Sequence, residues 1–427
     1  MSSFPRIATV RQKFEAPRLD SIAKTLRKQA SRHSDLLTTL KNKRIAVAVG
    51  SRGISHIDKI VQGVVTHLKS FGAHPLVVPA MGSHGGSTAQ GQAKILAGYG
   101  VTENVVGAPI VSSTESIEIG STVDGVAVHT DRTAFESDGI ILINRIKPHT
   151  DFKGEMESGL MKMIAVGLGN IEGANTFHQS AAIRGYEHLI LTKGRVLINS
   201  GKLIMGVALI ENAYHETAHL EFIPAANLEA RERQLLVTAK KLMPSLPFEK
   251  LDTLIIDRIG KEISGSGMDP NITGRWFKLN SLWQDTPDIM RIIVLDLTEK
   301  SGGNAIGIGL ADFCSGRVVE KMDERVTYLN AITSRNLIPG HIPLHFPTDQ
   351  ETLVQAFASL AGNKKSHEIR LARIRDTLSL TTIEASEALL TELEGNPTVQ
   401  SIGPPHNMTF STEGALQPIQ EGQTIDE

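Results

Sequence analysis

Short, almost uninterrupted apolar runs alternate along this chain with longer segments in which apolar residues recur every three or four positions. The run "RIAVAVG" (residues 44–50) has no polar residue between Ile45 and Val49, the pattern of a strand buried on both faces. In the following "ISHIDKIVQGVVTHLKSFG", Ile57, Ile60, Val61, Val64 and Leu68 fall at helical spacing and Gly72 ends the segment, which predicts a helix. The stretches "HPLVVPAMGSHGGST" and "QGQAKILAGYG" repeat the pattern as strand, glycine-rich turn and helix. Two successive βα units predict a parallel sheet with its loops gathered at the strands' C-terminal ends. "GIILINRIKPHTDF" supplies a third strand running into a polar turn. The loops holding Ser51 and Arg52, Ser83 and His84, and Lys147 and His149 are therefore expected to face one crevice.

A second section begins near Leu251, after the proline-interrupted "LMPSLPFEK". There "LDTLIIDRIG" and "MRIIVLDLTEKSGGNAIGIGLADF" again read as buried strands followed by glycine-rich turns. From about Ser386 the chain turns polar, which predicts a loosely attached, partly flexible extension. The expected fold is α/β with two domains, each a mostly parallel sheet flanked by helices, and an active site in the cleft between them. The expected boundaries are an N-terminal domain over 1–247, a C-terminal domain over 248–385 closing over the substrate, and the extension over 386–427. No internal repeat or coiled-coil heptad is visible.

Composition narrows the function. The 427 residues exceed one typical core, in keeping with two domains. With 44 basic residues against 46 acidic ones and no basic block, nucleic acid and anionic membrane are not expected partners. The single cysteine, Cys314, excludes an intramolecular disulfide and any multi-cysteine metal site. The N-terminus lacks an apolar run of signal-peptide length, and no window approaches the roughly 18 apolar residues of a membrane span, so a cytoplasmic location is expected.

Familiar nucleotide and hydrolase motifs are missing. "GSRGIS" lacks the G-x-G-x-x-G pattern, and "GLGNIEG" (residues 167–173) has one residue too many. There is no P-loop, no G-x-S-x-G elbow and no H-E-x-x-H. What stands out is Lys162 in "GLMKMIAVGLGNIEGANTFH", a lysine among Leu160, Met161, Met163, Ile164 and Val166. A buried ammonium needs a partner charge or a chemical reason. Its ordinary alternative is a lysine snorkelling from a helix edge to solvent.

In order, "AVAVGSRG", "MGSHGGST", "PHTDFKGEMESGLMK" and "KMIAVGLGNIEGANTFH" resemble the successive active-site motifs of the lactate racemase family, whose members use a nickel-pincer nucleotide. The resemblance covers about residues 44–178 and extends more faintly into the second domain. It implies that Lys162 tethers the cofactor through a thioamide and that His178, sixteen positions on, ligates nickel. Imidazole and sulfur both suit Ni(II), which favours a square-planar site. The alternative for His178 is a helix-surface histidine. His84 and His149 would be the acid/base pair, since a racemase needs a proton acceptor on each side of the reacting carbon and histidine titrates near neutrality. Both could instead be turn histidines bonded to backbone. Arg52 would grip a substrate carboxylate or a cofactor phosphate; Ser51, Ser83, Gly85 and the "GGST" backbone would bind phosphate at a helix N-terminus. From the second domain, Lys300 and Lys261 would contact the substrate.

The implied activity is racemisation or epimerisation of a small-molecule 2-hydroxy acid by reversible hydride transfer. The sequence departs from the family pattern in three places. His149 and Lys162 are thirteen positions apart and the setting is "MESGLMK" rather than S-G-G-x-K. The aspartate before the turn arginine is replaced in "VGSR", and Gly85 stands where lactate racemases place an arginine. Loss of that arginine is expected to leave room beside His84 for a bulkier substrate. A nucleotide- or metabolite-binding protein without catalysis, or an NAD-dependent dehydrogenase, are the alternatives. The missing fingerprint and the lack of an acidic residue about 20 positions downstream count against the dehydrogenase. Oligomeric state is not legible.

Overall fold

A computed structural model describes residues 4–51, 53–278, 281–362 and 364–419. The chain divides into two compact units: 15–243, and 244–427 together with 1–14.

In the unit formed by residues 15–243, strands β1 (Arg44–Val49), β2 (His74–Pro79), β3 (Gly139–Arg145), β4 (Leu203–Glu211) and β5 (Thr217–Pro224) form a sheet in the order β2-β1-β3-β4-β5. The first four run parallel and β5 closes the edge antiparallel. Both faces are covered, which explains the unbroken apolar runs. Ile45, Val47 and Val49 point to one side with helix α1 (Ile57–Ser70) and Leu96 of α2 (Ala89–Gly98). Ala46 and Ala48 point to the other, where small side chains lie beneath the segment carrying Leu160, Met161 and Ile164 and the helices α3 (Asn170–Arg184), α4 (Tyr186–Asn199) and α5 (Leu228–Lys241).

The other unit is built on one mixed sheet. Its order is Leu344–Phe346, Phe313–Ser315, Asp288–Val294, Lys250–Ile256, Leu371–Ile374, Thr382–Ser386, Arg6–Gln12 and Val399–Ser401. The first five strands are parallel and the remaining pairings antiparallel. Two expectations are corrected here. The N-terminal strand Arg6–Gln12 belongs to this unit rather than to the first, because it pairs with Thr382–Ser386 and Val399–Ser401. The described part of the expected extension, up to residue 419, is likewise built in: Val399–Ser401 pairs with that strand, and Met408 and Leu416 are buried in the unit's core. Mean polarity misled because a strand at a sheet's rim needs few large apolar side chains when its backbone is paired. Among the described residues no helix is long and apolar enough to cross a membrane.

Candidate functional site

The adjacent parallel strands β2, β1 and β3 deliver the three polar loops to one end of the sheet. At that end Ser51, just past β1, meets His84, just past β2: Ser51 Oγ and His84 Nδ1 are 2.5 Å apart. Tyr99 of the turn after α2 donates to the Ser51 carbonyl at 2.7 Å and steadies that turn. Arg52 lies outside the described residues.

The "GGST" loop is folded for packing more than for anion capture. Thr88 caps α2, its hydroxyl accepting from Gly91 N–H at 3.0 Å and donating to the Gly85 carbonyl at 3.0 Å. Thr88 N–H, one of the amides expected to bind phosphate, is itself turned to the Gly85 carbonyl at 3.4 Å. Gly85 has φ +70°, and a Cβ there would lie 2.6 Å from Gln92 N. The glycine is demanded by a left-handed turn jammed against a helix, so the expectation that it opens room beside His84 is corrected. Ser83 accepts at its carbonyl from Ser87 Oγ, 3.1 Å away, and its side chain is exposed.

Past β3, His149 is buried against the ring of Phe152 at 4.4 Å, which itself stacks on Tyr186 of α4 at 5.0 Å. The His149 amide donates to Glu157 Oε2 at 2.7 Å, and His149 Nδ1 accepts from the Asp151 amide at 2.9 Å. Nε2 faces Lys162 Nζ and contacts it. Two sequence candidates thirteen positions apart are thereby brought together.

Lys162 ends the short helical turn Leu160–Lys162 and is followed by a π-helical bulge, Met163–Gly167, in which Leu168 N–H reaches back to the Met163 carbonyl at 2.8 Å. Such bulges re-aim side chains and cluster at functional sites. The bulge sits against the ends of β1 and β2: Gly82 N–H donates to the Gly167 carbonyl at 2.9 Å, and a Cβ at Gly167 would lie 2.6 Å from the Ala80 carbonyl oxygen. A Cβ at Gly169 would lie 2.6 Å from Gly173 Cα and 3.1 Å from the His129 carbonyl. The glycines that superficially resemble a dinucleotide motif are consumed by these close approaches.

His178 lies on α3, edge to the ring of Phe177. Burial above all pushes its imidazole down to about 4, so it is neutral at pH 7. Its Nδ1 is buried without a hydrogen-bond partner among the described residues. No group of three or more His, Cys, Asp or Glu among the described residues is arranged to hold a metal.

Several contributors were missed by sequence reasoning. Three glutamates fix the backbone between His149 and Lys162. Glu157 also accepts from Gly154 N–H and pairs with Lys240 at 2.6 Å. Glu187 of α4 accepts from the amides of Glu155 and Met156 at 2.7 and 2.9 Å. Glu232 of α5, 1% exposed, accepts from Leu160 and Met161 N–H, both at 3.0 Å, and burial pushes its carboxyl up to about 8. Lys193 of α4 is 0% exposed, its Nζ without a hydrogen-bond partner among the described residues, and burial lowers it to about 8. The signal that singled out Lys162, a lysine among apolar residues, was present for Lys193 too. Nothing in the sequence marked Glu187 and Glu232, because their partners are amides 31 to 72 positions away along the chain.

The two second-domain lysines lie in the other unit, in loops that adjoin through Ser301, whose Oγ accepts from Lys261 N–H at 3.0 Å. Lys261 Nζ donates to the Gly265 carbonyl at 2.8 Å and to Asn330 Oδ1 at 2.7 Å, bracing its own loop. Lys300 is exposed on the turn Glu299–Ser301.

Residues 9–188 match the lactate racemase N-terminal domain. No curated protein matches the chain in sequence. Among solved structures, the fold is similar to that of the lactate racemase apoprotein from Thermoanaerobacterium thermosaccharolyticum, with a TM-score of 0.52 at 12% identity, covering 86% of this chain and 94% of that one. Over residues 9–188 the chain is thus similar to the N-terminal domain of the lactate racemase family.

Proposed function

We propose that this protein is a racemase or epimerase of a 2-hydroxy acid that works with a nickel-pincer nucleotide tethered by Lys162 and ligated by His178. The observation that carries the reading is the setting of Lys162, which contacts His149 within the matched domain. The donor set fits: His178 is neutral at pH 7, the form in which histidine binds metal, and its Nδ1 is unpartnered. A single protein imidazole suffices when a bound molecule brings the remaining ligands. When bound, the group supplies a reversible acceptor for the substrate's α-hydrogen, so either face of a planar keto acid can be re-formed.

The two histidines differ in what they can do. The Ser51 hydroxyl can accept from Nδ1–H or donate to bare Nδ1, so it supports either tautomer of His84. His84 can therefore take a proton at Nε2 or give one back, as a reversible reaction requires. The Asp151 amide can only donate, so neutral His149 carries its proton on Nε2 and serves as a donor there. Arg52, beside Ser51, is the residue assigned to the substrate carboxylate.

The test is intact mass and nickel content on protein produced together with cofactor-synthesis enzymes. An added mass on the Lys162 peptide with stoichiometric nickel is expected, with both lost in Lys162→Ala. His84→Ala should keep both and fail to interconvert 2-hydroxy acid enantiomers. An unmodified, nickel-free wild-type chain would overturn the proposal.

A further inference from the structure

We infer that Lys162 is a reactive lysine, held by His149 as the uncharged, nucleophilic amine before anything is attached to it. The inference deepens the tether reading and rests on it for what the amine is for; the amine's state is argued from the contact alone. A backbone N–H cannot accept a hydrogen bond, so the 2.9 Å contact from the Asp151 amide fills the lone pair of His149 Nδ1 and leaves the ring proton on Nε2. The Asp151 carboxylate is 3.9 Å from Nδ1, beyond hydrogen-bond reach, and does not compete for that position. Nε2–H then points at Lys162 Nζ.

An ammonium has three donors and no lone pair. Facing Nε2–H it would set donor against donor, and an imidazolium would add a second positive charge. The contact is a hydrogen bond only when Nζ carries a lone pair. Neither partner can readily turn away. The Glu157 bond to the His149 amide and the Phe152–Tyr186 stack hold the imidazole, while Glu232 holds the turn that carries Lys162.

The consequence is measurable on the unloaded full-length chain with 4-nitrophenyl acetate as the probe. Nζ attacks the acetyl carbon, a C–N bond forms, the C–O bond to 4-nitrophenoxide breaks, and the surplus amine proton passes to solvent. An ordinary lysine is only about 0.1% uncharged at pH 7.4, so a lysine held neutral has up to about a thousandfold advantage. Peptide mass analysis should find Lys162 acetylated at least about tenfold faster than exposed Lys300, allowing for its partial burial. In His149→Phe, which keeps a ring against Phe152, the rate should fall to that of Lys300, and His149→Gln reads the same effect if phenylalanine disturbs the fold. Buried Lys193 must stay unmodified in each protein, which certifies folding. A Lys162 rate no greater than that of Lys300, or one unchanged in both variants, overturns the inference. Fast acetylation in a chain that never acquires nickel and added mass would instead remove the proposed function and leave the reactive lysine standing. Tethering without enhanced reactivity would do the reverse.

Discussion

Replacing Glu232 with glutamine should stabilise the protein increasingly as pH rises. Glu232 is a buried carboxyl whose Oε1 has no hydrogen-bond partner among the described residues, and burial pushes its ordinary value of 4.5 up to about 8. The folded state therefore holds a proton that the unfolded state has lost across that window, and stability falls with rising pH. The slope is about 1.4 kcal/mol per pH unit for one proton, or about 3 kcal/mol between pH 5.5 and 8. Glutamine presents one oxygen to the amides of Leu160 and Met161 and does not titrate. His178, Lys193 and Asp257, also shifted by burial, titrate in both proteins and cancel in the difference. Urea unfolding followed by far-UV circular dichroism at the two pH values gives the difference, and amide exchange at Leu160 and Met161 localises it. A wild-type-to-variant difference that is flat with pH to within about 1 kcal/mol, or one that moves against the variant, would refute the reasoning.

Two further outcomes follow from the same packing. Lys193→Met replaces a buried, partnerless amine with an apolar side chain of similar length, and should stabilise by about 1–3 kcal/mol. Because the folded lysine is lowered from 10.5 to about 8, the gain is full below pH 8 and fades towards 10.5; thermal melts at pH 7 and 10 check both the sign and the window. Gly91→Ala should cost about 1–3 kcal/mol, since its Cβ would lie 1.8 Å from the Gly85 carbonyl oxygen, and the displaced loop should separate His84 from Ser51. A melt and the His84 imidazole signals in an NMR spectrum report the two effects.

The βα order, the parallel sheet and the meeting of three polar loops at its end were all readable from the chain. Each rests on local periodicity: Ile45 to Val49 cannot be other than buried on both faces, and Ile57, Ile60, Val64 and Leu68 can share a face only on a helix. Lys162 was conspicuous for the same reason, as a charge in an apolar period. The end of the second unit was not readable, because Arg6–Gln12 and Thr382–Ser386 find each other across most of the chain and register between distant strands leaves no local mark.

By itself, then, the sequence determined which residues stand out as candidates for chemistry and the order in which the strands present them. Only the tertiary structure decided what those residues can do. The contact of His149 with Lys162 is local to one loop, but that loop is held by Glu187 and Glu232, carried on helices about 30 and 70 positions downstream of the amides they bind. Gly85 makes the same point from the other side: as a letter it suggested empty space, and in the fold it is the one residue that fits against Gln92. Hydrogen bonds and steric contacts depend on distances of a few ångströms, and those are set by packing between segments whose spacing along the chain carries no information about their spacing in space.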